Sequence, residues 1–83
     1  PVIVDLRGDI KQYIENHGLS RKWEKAKRLF ESDPSYPSLN TELLEPKHRL
    51  IYSFRIYKKH RSLFICLPDD KIELIAVTKH YRK

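Results

Sequence analysis

Two arginines, Arg55 and Arg61, and the adjacent pair His80 and Tyr81 are the side chains in this sequence whose types could act together on a phosphate. A guanidinium offers a planar fork of donors that matches phosphate oxygens. An ordinary imidazole titrates at about 6.5, so His80 can both take and give a proton near neutrality. These groups suit metal-free RNA cleavage, in which the 2′-hydroxyl loses a proton, charge on the phosphate is stabilised, and the departing 5′-oxygen gains a proton. Tyr81 fits hydrogen-bond donation or stacking on a base, because an ordinary phenol titrates at about 10. The sequence has no nucleophile paired with a base, no Gly-rich phosphate loop, no zinc-ligand spacing and no acidic cluster for Mg²⁺. No metal and no cofactor is expected.

The charge is laid out to support such a ligand. Lys and Arg number 17 against 11 Asp and Glu, a net +6. Up to Thr41 seven basic residues face six acidic ones, and afterwards ten face five. His48, His60, His80, Tyr52, Tyr57 and Tyr81 share the basic portion, so donors, titratable rings and stacking surfaces are concentrated there. A basic domain of this kind favours polyanion partners. The 83 residues allow one domain, spanning 1–83, with one core. The single Cys66 cannot form an intramolecular disulfide, and no apolar run approaches the roughly 20 residues of a membrane span. A soluble, untargeted chain in the cytoplasm, with no membrane partner, is the expectation.

The elements that must position these residues can be read in order. Val2 to Leu6 reads as a strand. Asp9 can cap a helix carrying Ile10, Tyr13 and Ile14 on one face, Gly18 suits its left-handed terminus, and Ser20 can cap the next helix. Leu19, Trp23, Ala26 and Phe30 form a helical stripe, which makes Trp23 a core anchor. The stretch 33–38 is a turn-rich loop, as its two prolines and serines require. Three strands follow, Leu50 to Tyr57, Arg61 to Leu67 and Ile72 to Thr78, separated by Lys58-Lys59-His60 and Pro68-Asp69-Asp70. The order β-α-α-β-β-β predicts an α+β fold, a small antiparallel sheet with a helix pair on one face.

Register then assigns the faces. A three-residue hairpin loop centred near Lys58 sets Arg55 opposite Arg61, and one centred on Asp69 sets Arg61 opposite Val77. Leu50, Tyr52, Phe54, Ile56, Phe64, Cys66, Ile72, Leu74 and Ala76 fall on the face under the helices. Ile51, Leu63, Ile65, Ile75 and Val77 fall on the other, rimmed by Arg55, Tyr57, Arg61, Lys79 and Tyr81. Two short helices cover one face only, so this second apolar face calls for a partner. Like charges directly opposite each other imply an anion between them, or else a spread into solvent or pairing with Glu73. A slip of one residue would part the two arginines. In an unbroken strand His80 and Tyr81 point apart, so both serve one site only if pairing ends before them.

Tyr52-Ser53-Phe54-Arg55-Ile56, Lys59-His60-Arg61, the Asp69-Asp70 turn and Lys79-His80-Tyr81 together resemble the RelE/ParE toxin superfamily of bacterial toxin-antitoxin systems, most of all its YoeB branch. The resemblance extends weakly over the whole chain and is specific from Tyr52 onward. It implies a ribosome-dependent endoribonuclease that cuts mRNA by 2′-hydroxyl attack without metal and is silenced by an acidic, partly disordered antitoxin. The residues it implies as catalytic are Arg55, Arg61, His80 and Tyr81, with Lys58, Lys59, His60, Lys79, Arg82 and Lys83 binding RNA. Ile51, Leu63, Ile65, Ile75 and Val77 would receive the antitoxin. YoeB-like toxins also use a glutamate ahead of the second strand; here the spacing differs, Ser38 or Asn40 falls near it, and Glu42 or Glu45 matches with a shift. ParE-like members of the superfamily are instead non-catalytic inhibitors of DNA gyrase, and a degenerate relative would only bind antitoxin.

Overall fold

A computed structural model describes residues 1–79, and His80, Tyr81, Arg82 and Lys83 lie outside the described residues. Strand β1 (Val2–Ile3) leads into helices α1 (Gly8–Asn16) and α2 (Ser20–Ser32), followed by a 3₁₀ turn at Pro37–Leu39 and a two-residue strand β2 (Glu42–Leu43). A second 3₁₀ turn at Lys47–Arg49 precedes β3 (Tyr52–Tyr57), β4 (His60–Leu67) and β5 (Lys71–Thr78). The sheet order is β1-β5-β4-β3-β2. The α+β reading holds, with two additions: β2 pairs with β3 at one edge, and β1 runs parallel to β5 at the other.

The helix pair is joined at the glycine whose type suits the junction. Gly18 has φ +64, and the Leu19 and Gly18 N–H groups donate back to the Ile14 and Glu15 carbonyls, closing the end of α1 in a Schellman motif. The helix starts differ from expectation. Arg7 and Leu19 hold the capping positions, while Asp9 sits in the first turn of α1 and pairs with Arg7 at 2.9 Å. The core packs as predicted around Trp23 and Phe30, whose rings stack on Phe54, with Phe64 edge-on to Phe30. At the β1 edge the Ile3 N–H, which has no strand partner outside, donates to the Glu31 carboxylate of α2 at 2.8 Å.

Two irregularities reassign faces. Arg55 pairs with Arg61 as the hairpin arithmetic requires, but the turn is the two residues Lys58 and Lys59, and Ile56 is an extra residue between the Arg55 and Tyr57 pairings. A bulge leaves two residues opposite one, so Ile56 and Tyr57 both face the helices, where simple alternation puts Tyr57 on the open side. In β5 the extra residue is Ile75. Pairing matches the expected register from Leu67 to Phe64, then shifts so that Leu63 meets Ala76, Ser62 meets Val77 and Arg61 meets Thr78 rather than Val77. Val77 accordingly packs against the core beneath the helices, not on the open face, and Ala76 changes places with it. Leu50 and Cys66, both expected in the core, are exposed. Leu50 leaves the strand in a left-handed conformation, φ 56, at the end of the second 3₁₀ turn.

The open face is partly covered by the chain itself. Leu44 is buried although it stands apart from the main core. It packs with Ile51, Leu63, Pro46 and Arg49 around a cavity of about 180 Å³. The Leu44 N–H donates to the Ile51 carbonyl, which pins this flap to the sheet.

Candidate functional site

Arg61 leaves β4 on the open face and is held from three sides. Its guanidinium donates to the Ser53 hydroxyl from Nε at 3.1 Å and from Nη2 at 2.7 Å, and to the Asn40 backbone carbonyl at 2.8 Å. The Glu42 carboxylate lies 3.4 Å from Nη2. Each anchor follows from local structure. Ser53 and Glu42 are direct partners across β2 and β3, so both point to the face Arg61 occupies. Asn40 ends the first 3₁₀ turn in a left-handed conformation, φ 46, and its carbonyl serves as an acceptor. Asparagine tolerates that conformation better than most residues.

Arg61 is only 14% exposed, whereas Arg55, its cross-strand partner, is exposed. Burial lowers the pKa of Arg61, Glu42 opposes this and Arg55 adds to it; the guanidinium stays charged in any case. The cluster is thus one oriented, half-desolvated cation against a carboxylate, beside a second cation free to reach out. Chemically it offers a proton acceptor within reach of an anion clamp. The partner of Arg61 is Glu42, not Glu73.

His60 does not join this site. It lies on the helix face, 4% exposed, and among the described residues neither ring nitrogen has a hydrogen-bond partner. Its ring stacks on Tyr57 and meets Tyr13 and His17 edge-on, with centroids 5.6, 5.9 and 5.8 Å away. Desolvation, His17 and Lys79 all hold its pKa below the usual imidazole value. The ring is packed among aromatics on the helix face, not presented at the surface beside Lys58 and Lys59. Lys58 and Lys59 lie exposed at the hairpin turn and Lys79 is exposed at the end of β5. Ile51, Leu63, Ile65 and Ile75 are half-buried; the pairings place Leu63 and Ile65 on the open face, while Ile75 is the unpaired residue of the β5 bulge. His80, Tyr81, Arg82 and Lys83 fall outside the described residues. The members that the sequence does not single out are Ser53 and the Asn40 carbonyl. The alternation of β3, with Phe54 inward, marks Ser53 as a neighbour of Arg61. Among the described residues, no three His, Cys, Asp or Glu gather as metal ligands, and no helix is long and apolar enough to cross a membrane.

A five-stranded sheet with a helix pair on one face is a known class of small α+β fold. The chain matches the structure of a YoeB/ParE toxin from Agrobacterium tumefaciens with a TM-score of 0.68, over 96% of each chain and at 19% sequence identity. The fold implied by the residues from Tyr52 onward, that of the RelE/ParE toxins, is therefore present. No protein-family model matches the sequence, and no curated protein matches it.

Proposed function

We propose that the chain is the toxin of a toxin-antitoxin pair and that the Arg61 cluster cleaves mRNA on the ribosome by attack of a 2′-hydroxyl on the adjacent phosphodiester. The observation that carries this reading is the Arg61 guanidinium fixed against Glu42 beside exposed Arg55. Glu42 takes the 2′-hydroxyl proton. The freed 2′-oxygen forms a bond to phosphorus, and Arg61 with Arg55 stabilises the charge that gathers on the non-bridging oxygens. The bond to the 5′-oxygen breaks, and that oxygen takes a proton from His80, leaving a 2′,3′-cyclic phosphate. Tyr81 stacks on or hydrogen-bonds the substrate. Lys58, Lys59, Lys79, Arg82 and Lys83 contribute positive charge along the path of the strand. An acidic, partly disordered antitoxin lies on Ile65 and Ile75, beyond the part of the face that the Leu44 flap occupies.

The rival reading, gyrase inhibition without chemistry, draws support from the internal bonding of Arg61, which satisfies most of its donors without any ligand. One experiment separates the two: the chain is added to programmed ribosomes carrying mRNA and, in parallel, to a gyrase supercoiling reaction. Cleavage in the first with supercoiling intact is the expected result. Loss of supercoiling with intact mRNA would transfer the function to the rival.

A further inference from the structure

A second recess lies against the same cluster, on the other side of the β3 edge. It has a volume of about 330 Å³ and sits between α2 and β3, with Leu29, Leu39 and Ile56 in its lining and Lys22, Lys25 and Arg55 as its charged residues. Among the described residues no acidic side chain lines it. The sequence explains the split. Lys22 and Lys25 flank the Trp23, Ala26 and Phe30 stripe that α2 buries, so they fall at the margin of its inward face, while Leu29 lies between that face and β3. Lys22 is directed inward, its ammonium lying 4.8 Å from the centroid of the Tyr57 ring. Arg55 belongs to both places, since it lines this recess and is the cross-strand partner of Arg61.

An apolar floor with three cations and no anion matches a nucleotide, with a flat base over hydrocarbon and phosphates on the rim. We infer that this recess is a second nucleotide subsite, holding one base of the single-stranded RNA next to the nucleotide at Arg61, with the flanking phosphates on Lys22, Lys25 and Arg55. The inference rests on the proposed RNA cleavage for the neighbouring strand, but it makes a separate claim about where that strand continues. From Arg55 the strand passes over the β3 edge towards α2.

The test uses the whole chain and a non-cleavable 2′-O-methyl oligonucleotide of about ten nucleotides, a length within the usual range of single-strand sites. Binding is followed by fluorescence anisotropy across a salt series. The double variant Lys22→Gln, Lys25→Gln is expected to flatten the log-log salt slope by about 1.4, or about 0.7 for each phosphate no longer neutralised. Ser38→Glu places a negative charge at an exposed position in the lining and is expected to weaken binding without altering the circular dichroism spectrum. An abasic oligonucleotide of the same length is expected to bind the unmodified chain at least about tenfold more weakly, the loss that even one stacked base predicts. An unchanged slope in the double variant, or equal binding of the abasic strand, would overturn the subsite. mRNA cleavage on programmed ribosomes is scored separately. Cleavage by the unmodified chain with an unchanged slope removes the subsite and leaves the nuclease. A flattened slope and base dependence without any cleavage removes the nuclease and leaves the subsite.

Discussion

Residues 60 and 61 are neighbours on β4, yet they present opposite solutions to placing a basic side chain in a small protein. Arg61 keeps its charge because Ser53, the Asn40 carbonyl and Glu42 meet it. His60, one residue earlier and on the other face, has aromatic rings around it and, among the described residues, no hydrogen-bond partner for either nitrogen. Burying a charge requires pairing, and a group that can lose its charge will do so instead. Arginine cannot deprotonate, so its side of the sheet had to supply acceptors. Histidine can, so its side supplied rings. Mutations on the two faces should therefore fail in different ways: activity on the Arg61 side, stability and its pH dependence on the His60 side.

The largest effect is expected from Glu42→Gln, which removes the proposed base and should lower mRNA cleavage about 10² to 10⁴-fold in single-turnover assays on ribosomes. Arg61→Ala should cost about 10² to 10³-fold in the same assay, the usual loss for one charge-stabilising donor. If Arg61→Ala instead lowers only the melting temperature, with cleavage per folded molecule unchanged, the bonded arginine is structural and the contrast between the faces is lost. His60 should show itself through pH. Its folded pKa is depressed, so the unfolded chain binds the extra proton first. Stability is therefore full above about 6.5 and falls as pH drops below it, by about 1.4 kcal/mol per unit until the folded-state pKa is reached. Among the described residues, the charged or titratable groups facing this ring are His17 and Tyr13 from α1 and its end, Tyr57 from β3 and Lys79 just after β5. His60→Phe should remove most of this slope in urea titrations between pH 5 and 7.5; an equally steep loss in the variant would assign it to other groups. The smallest change is expected for Ser53→Ala. It removes one acceptor of Arg61 and should cost about 1 kcal/mol in the same titrations, with cleavage reduced less than in Arg61→Ala.

The contrast also marks where sequence reasoning succeeds. Gly18, the Trp23 and Phe30 stripe, and the Arg55 to Arg61 pairing are all legible, because a left-handed terminus, a helical period and a hairpin turn each leave a local signature. The bulges at Ile56 and Ile75 leave none. Each is an ordinary β-branched residue within a strand, and only the pairing of two strands reveals that one residue is extra. That is why alternation alone puts Tyr57 and Val77 on the wrong face and makes His60 look like a surface cation. Glu42 is visible only as one of several shifted matches. Its strand is two residues long, too short for alternation to show, and its position depends on how the chain travels from Asn40 to Leu50. The cluster around Arg61 therefore joins a residue the sequence marks plainly to partners supplied by a loop, whose path no local pattern encodes.

The bulge at Ile75 also controls parity. Every residue of β5 after it carries an offset of one, so Val77 turns inward and Thr78 lies across from Arg61. A chain lacking Ile75 would keep nearly the same composition and the same turn at Asp69 and Asp70. Its β5 would pair without a bulge, and Ala76, Val77 and Thr78 would still meet Leu63, Ser62 and Arg61, whereas the full strand paired without a bulge would set Val77 opposite Arg61. The bulge thus lets β5 carry one residue more than its pairing needs while Val77 stays under the helices. Deletion of Ile75 should therefore leave the pairing opposite Arg61 in place, whereas an added residue after Ala76 would move Val77 and Thr78 to the opposite faces.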